Sequence, residues 1–456
     1  VPPGSASPST APGGGSARPP VLRRWARGLI DTTRRRAATP PGRLRLVTVG
    51  LVAAIVLLWL AAFVSVVSRQ HAVAGVRGTS GPAFVAAQRI HADLSEADAS
   101  AAGAFLAGGV EPAAQREAYE QGIAAASAQI LALSRAGVPT STQPSLTVLT
   151  SQIPVYTGLV GQARANNRLG LAVGGAYLRQ ASNLMQTSIL PAADRLAAAE
   201  AGRVDGGYQD ATRWWQPALV AVTGALALGA LVAAQVSLAR RTHRYLSVWL
   251  AAATALTAIV LGLTLADLSA QRSRLVDARD NGFVPMTVVA QARVLALRAW
   301  GDASLSLIAH GDGADLDADA DAATARLGFN ASGVRDPAGV LPTAGRLGGP
   351  DSATRTPLER YWRAYQASAV STRSEASAVG GFQRAVQLAL GDGTTTFRRF
   401  DDAADTALTT SQRRFDTSVS SAADALTGLG IVVSLALALA AVGVLAGFQP
   451  RISEFR

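Results

Sequence analysis

The sequence predicts an all-α membrane protein: four transmembrane helices and two extracytoplasmic four-helix-bundle, sensor-like domains related by internal duplication. Three observations carry that prediction. Four apolar runs, about 46–67, 217–239, 246–266 and 426–448, have cores free of charge. Each holds about 21–23 residues, enough at ~1.5 Å per residue to span a hydrocarbon core of ~30 Å. Roughly 150 polar residues separate the first run from the second, and again the third from the fourth, as windows 68–216 and 267–425 show. Finally, these two segments share short motifs in the same order at a nearly constant offset.

Charge sets the expected orientation. All 42 basic residues are arginine, and the net charge is +11. Nine arginines against Asp31 precede the first run; Arg240, Arg241 and Arg244 lie in the short 240–245 link, and Arg451 and Arg456 in the 449–456 tail. The two large segments are close to neutral. Arginine flanking a span favours the cytoplasmic side, so a plasma-membrane protein with both termini and the link inside and both lobes outside is expected. A cleaved signal peptide is the competing reading of the first run, but the run begins 45 residues in and is long for a signal core. Cysteine is absent from the chain, which excludes disulfides and thiolate metal sites.

The first 20 residues are rich in Pro, Gly and Ser and cannot bury enough surface to fold. Within the 1–45 tail, Arg23, Arg24, Arg27, Arg34, Arg35 and Arg36 are candidates for contact with a cytoplasmic partner or lipid. The plainer reading is charge that fixes topology.

The duplication rests on three matches. Ala97-Asp98-Ala99-Ser100 returns as Gly301-Asp302-Ala303-Ser304, and Ala172-Val173-Gly174-Gly175 as Ala378-Val379-Gly380-Gly381. Gln88 and Gln291 keep nearly the same spacing. Leu178, Ser182, Met185, Ile189, Ala192, Leu196 and Ala199 step by four and three, a heptad stripe that argues for a bundled helix. Breaks at Gly108–Pro112, Gly137–Pro144 and Gly170–Gly175 divide the first segment into four helices, the outer two about 40 residues long and the inner two about 25. The second segment repeats the plan, with a Gly/Pro-rich interruption at about Asn330–Pro357. Such a set closes as an antiparallel bundle. It places the turns at Gly108–Pro112 and Gly170–Gly175 together at one end, far from the bilayer.

No catalytic constellation is visible. His71, His91, His243 and His310 are scattered, and neither a zinc-protease helix, a phosphate loop nor a nucleophile elbow is present. The run Asp312, Asp315, Asp317, Asp319, Asp321 invites a calcium loop, yet Ala320 and Arg326 stand where glycine and glutamate are needed. Acidic residues favouring a helix N-terminus are the simpler account. An enzyme, a metal, a cofactor and a nucleic-acid partner are all unexpected. Arg164, Asn166, Asn167, Arg168, Tyr177 and Arg179 form the densest polar group and are candidates for docking a ligand or partner; capping of helix ends is the alternative. Tyr156, Tyr361, Trp362 and Tyr365 read as bundle core, and Trp214, Trp215 and Trp249 as interfacial anchors.

The run from Ala165-Asn166-Asn167-Arg168 through Val173-Gly174-Gly175-Ala176-Tyr177-Leu178-Arg179 to Leu190-Pro191-Ala192-Ala193 resembles actinobacterial four-span membrane proteins of the GlnX type. That resemblance covers about 30 residues, and the second segment lacks the Asn-Asn and Tyr-Leu-Arg elements. It implies a non-enzymatic coupler between two proteins: an extracytoplasmic solute-binding lipoprotein specific for aspartate or glutamate, and a cytoplasmic serine/threonine protein kinase. An accessory subunit of a transport or envelope complex, and a direct small-molecule sensor, are the alternatives.

Overall fold

A computed structural model describes residues 40–108, 111–137, 139–242, 248–309, 313–330, 333–344 and 351–453. Among them there is no strand, only an isolated bridge between Phe329 and Arg335. In order, the helices are α1 Pro40–Gly75, α2 Gly81–Leu106, α3 Ala113–Arg135, α4 Gln143–Arg168, α5 Val173–Leu184, α6 Leu190–Ala211 and α7 Trp215–Thr242. They continue with α8 Val248–Ala278, α9 Val284–Ile308, α10 Ala314–Leu327, α11 Val340–Ala344, α12 Ser352–Ser377, α13 Phe382–Leu388 and α14 Thr394–Ser453. Four helical stretches are long and apolar enough to cross a membrane. The chain is an all-α membrane protein.

Contacts divide it into two units, one of them made of the chain to Ala62, Leu219–Leu263 and the chain from Val432. This unit keeps large apolar side chains such as Leu57, Leu226 and Leu435 exposed, as a lipid-facing surface requires. Apolar burial cannot select helix partners in lipid, so small residues and hydrogen bonds must. Trp59 Nε1 donates to Ser434 Oγ at 3.0 Å. Gln235 Nε2 donates to Thr254 Oγ1 at 2.7 Å and to the Leu250 carbonyl at 2.9 Å. Gly443 lies against Ala253, joining α14 to α8.

The other unit, Phe63–Ala218 with Thr264–Ile431, contains two helical bundles. In bundle 1, α2, α3, α4 and the α5–α6 pair surround a core that includes Ile90, Leu94, Ile130, Leu149, Tyr156 and Leu196. In bundle 2, α9, α10, α12 and the first part of α14 enclose an aromatic core of Phe329, Trp362, Tyr365, Phe397 and Phe400. The bundles share interior: Leu305 and Ile308 of α9 join the first core, and Ala99 of α2 joins the second. A third cluster, with Val73, Phe84, Tyr208, Phe283 and Phe415, ties the outer helices together. Beside it Arg69, 1% exposed, donates to Gln216 Oε1 at 2.9 Å and to the Leu268 carbonyl and Gln271 Oε1 at 3.3 Å.

The heptad stripe is buried from Leu178 through Leu196, but Ala199 is only half-buried. Glu200, Val204 and Tyr208 continue the inner face instead. A straight helix drifts against a strict seven-residue repeat, so the inward stripe slips by a residue. The expected breaks are present: Gly108, Gly137, Gly170 and Gly380 end helices at φ of 71, 73, 68 and 72°, conformations that cost glycine little. Two lengths differ from expectation. The first inner helix of bundle 2, α10, has only 14 residues. The interruption ends sooner than expected, because α12 starts at Ser352, where Asp351 caps it by accepting from the Thr354 amide at 2.8 Å. Pro357 then lies inside that helix.

Duplication is visible in a feature that composition does not announce. A π-helical turn, Val76–Ser80, joins α1 to α2, and another, Arg279–Phe283, joins α8 to α9 at an offset of 203 (76 to 279). On the return, Met185–Ile189 joins α5 to α6 and Ala389–Gly393 joins α13 to α14, an offset of 204 (185 to 389). Three of the four precede a proline at the second residue of the next helix: Pro82, Pro191 and Pro285. Proline inside a helix lacks an N–H and strikes the carbonyl four residues back. Widening the preceding turn removes that clash. The Gly81, Leu190 and Val284 amides accordingly reach back five residues, to the carbonyls of Val76, Met185 and Arg279. The fourth turn is followed by Thr394-Thr395 and has no proline to accommodate.

Candidate functional site

The expected juxtaposition of two turns in bundle 1 is present, and it splits the six candidate residues into two groups. Arg164, on α4, forms an ion pair with Glu111 at 2.7 Å and lies 4.2 Å over the Tyr119 ring. Glu111 is almost completely covered, so Arg164 serves as the lock between the α2–α3 turn and α4. Asn167 donates to the Phe105 carbonyl at 3.3 Å, which also accepts from the Gly108 amide at 3.2 Å, and so ties α4 to the end of α2. Asn166 donates back to the Gln162 carbonyl of its own helix at 2.8 Å. Tyr177 is half-buried and packs against the core. Arg164 and Asn167 thus hold the turns together, while Asn166 serves its own helix and Tyr177 the core.

Arg168 and Arg179 remain exposed at the same end. The sequence reading missed their apolar neighbours: Leu169, Leu171 and Val173, 73%, 49% and 46% exposed. Three large aliphatic side chains in five residues, flanked by guanidinium groups, form a tip suited to a protein surface. Their signal was the run Leu169-Gly170-Leu171-Ala172-Val173, which is apolar although it lies in a turn. Arg23, Arg24, Arg27, Arg34, Arg35 and Arg36 lie outside the described residues.

The repeated aspartates of the sequence motif lie at the seam between bundles. Asp98 accepts from Tyr156 Oη at 3.1 Å and Ser182 Oγ at 2.6 Å. Asp302 accepts from Gln186 Nε2, which belongs to bundle 1, at 2.6 Å. Burial pushes both carboxyl groups up to about 6 against the help of these donors, and their mutual repulsion adds to the rise at Asp98. Nearby, Arg293 of α9 grips Asp401 through two bonds of 2.6 and 2.9 Å and approaches Glu96 of α2 to 3.6 Å. His91 meets Asp194 at 3.1 Å. The seam therefore buries Asp98 and Asp302 beside apolar residues such as Ala99, Leu305 and Ile308, while Asp194 at its edge stays open to water.

The acidic run resolves into local roles. Asp315 and Asp317 occupy the first turn of α10, where they complement the helix dipole. Asp321 binds Arg373 through two bonds of 3.1 and 3.0 Å. Asp312 lies outside the described residues. Among the described residues, no group of three or more His, Cys, Asp or Glu side chains is placed to hold a metal ion.

Comparison with known proteins gives one match. Residues 72–209, which include bundle 1 except the last two residues of α6, match the family described as Actinobacterial sensor domain. No curated protein and no solved structure matches the chain. The match supports a sensing or signalling role, and bundle 1 is thus the part of this membrane protein that is similar to a sensor domain of the Actinobacteria.

Proposed function

We propose that this protein is a non-enzymatic transmembrane signal coupler of the plasma membrane. Its termini lie in the cytoplasm and its two bundles outside. The tip formed by Arg168, Leu169, Leu171, Val173 and Arg179 receives an extracytoplasmic solute-binding lipoprotein of the aspartate/glutamate class. A change there passes along the outer helices to a cytoplasmic serine/threonine protein kinase, with the arginine-rich tail as the output surface. One observation carries this reading: a bundle similar to a sensor domain is built on a helix that runs without interruption from the first apolar span to the tip. Only a partner with different affinities for two conformations can drive such a switch.

Affinity capture of the detergent-solubilised full chain, with and without aspartate or glutamate, tests the proposal. A solute-binding lipoprotein should be retained, and the double variant Arg168→Glu/Leu171→Asp should lose it while remaining folded. Equal retention by that variant refutes docking at the tip. Deleting residues 1–36 should leave insertion intact and abolish kinase-dependent output; unchanged output refutes the tail's role.

A further inference from the structure

Bundle 2 contains a cavity of about 520 Å³ near its turns, between α9, α10, α12 and the α13–α14 junction. That volume lies within the usual range for small-molecule sites, and close-packed interiors do not leave such space by chance. Trp300 and Tyr365 form a buried aromatic floor, with Phe382 beside them. Ala303, Ala369, Ala376 and Ala389 line the walls, so their small side chains create the room. The corresponding level of bundle 1 is filled by Tyr119, Tyr156, Leu178 and Met185 and closed by the Arg164–Glu111 pair.

Two further observations point to a ligand and to its charge. The π-helical turn Ala389–Gly393 contributes Ala389 and Gly393 to the cavity, and it alone of the four precedes no proline. Unforced π turns are frequent at functional sites. Among the described residues, the cavity's charged groups are Arg373 and Asp317. Arg373 is already engaged bidentately by Asp321, so its charge is met. Asp317, one turn before Asp321 on α10, has no ion-pair partner among the described residues. Among the described residues, two carboxylates, Asp317 and Asp321, thus act on the single guanidinium of Arg373, which leaves the site a net negative charge beside its aromatic floor. That combination attracts an ammonium group through the carboxylate and the ring faces together. Thr372 and Ser304 add hydroxyls at the wall.

We infer that this cavity binds a small primary amine with a flat apolar body, the ammonium held by Asp317 and the body lying on Trp300, Tyr365 and Phe382. The site lies outside the segment similar to a sensor domain and gives the chain a second input, separate from docking at the bundle 1 tip. Calorimetric titration of the detergent-solubilised full chain with phenylethylamine, phenylalanine and phenylacetate tests it, because the three share a ring and differ in charge. Phenylethylamine should bind most tightly and phenylacetate at least tenfold more weakly. Asp317→Asn should weaken phenylethylamine at least tenfold while lowering the unfolding temperature of the free protein only slightly, and Ala369→Leu should remove binding by filling the space. The tip variant Arg168→Glu/Leu171→Asp should bind the amine as the wild type does, which keeps this test separate from that of the docking proposal. The inference is overturned if phenylethylamine fails to bind, if phenylacetate binds as well, or if Asp317→Asn leaves amine affinity unchanged.

Discussion

The two bundles share a backbone plan and differ in what fills it. Both have outer helices that pass through π-helical turns at offsets of 203 and 204, and both bury an aspartate at the same place on the first helix. Bundle 1 closes its far end with an arginine–glutamate lock over tyrosine and turns leucines outward. Bundle 2 gathers its aromatics deeper, around Trp362, and leaves an alanine-walled cavity at the end. Backbone register is held by many hydrogen bonds and tolerates little change, whereas interiors accept new side chains if volume and patterning are kept. After a duplication, the scaffold therefore persists while one copy fills its far end and exposes aliphatic side chains and the other leaves a cavity.

The largest expected effect tests the aromatic heart of bundle 2. Trp362 is fully buried and lies 5.0 Å from Tyr365 and 5.4 Å from Phe400, centroid to centroid. Trp362→Ala should cost about 3–5 kcal/mol in reversible unfolding. A loss under about 1 kcal/mol would show that bundle 2 is not organised around it. Removing the lock of bundle 1 by Arg164→Ala should cost about 3 kcal/mol, because Glu111 is left covered and unpaired. Adding Glu111→Gln should recover much of that loss, and the absence of recovery would break the assignment of Arg164 as a lock.

Matched enlargements probe the contrast directly. Ala163 and Ala369 lie 206 residues apart, the spacing of the repeated glycine pairs. Ala163→Leu should destabilise by about 1–3 kcal/mol through overpacking, whereas Ala369→Leu, entering the cavity, should change stability by less than about 1 kcal/mol. Equal penalties at both positions would erase the difference between the bundles.

A smaller effect concerns the shared aspartates. Burial pushes their folded-state carboxyls up to about 6, so between about pH 4 and 6 the folded protein should hold protons that the unfolded chain has released. Stability should therefore fall as pH rises through that window and level off above it. Asp98→Asn should reduce this slope by about one proton's worth, ~1.4 kcal/mol per pH unit. Asp302→Asn should do the same if the two carboxyls still occupy equivalent environments. Thermal midpoints at pH 4.5, 5.5 and 7 read the difference.

Much of the architecture was legible because membrane spans, glycine breaks and heptad stripes are local signals. The Asp98 and Asp302 motifs announced the repeat, and Gly170 announced the end of α4. Side-chain destinations were less legible. Arg164 and Arg168 lie on the same helix four residues apart and look alike in sequence, yet one faces Glu111 and Tyr119 and the other faces solvent. That division depends on where the α2–α3 turn lands, a contact made across more than 50 residues (111 to 164). The cavity was hidden for a related reason: alanines in a helix read as good helix formers, and only the packing of four helices reveals that nothing fills the space between them. The π-helical turns had a local clue in Pro82, Pro191 and Pro285, but a proline early in a helix is equally common where no widening occurs.

Of the four helical passages between bundle and apolar span, three are unbroken, while the passage from α6 to α7 is interrupted at Thr212–Trp214. Arg69 fastens Gln216 immediately beyond the gap to the neighbouring helices, so that side of the joint is anchored independently of α6. The second span thereby differs from the other three: a non-helical joint separates α7 from bundle 1, whereas α1 continues into α2 through helical backbone.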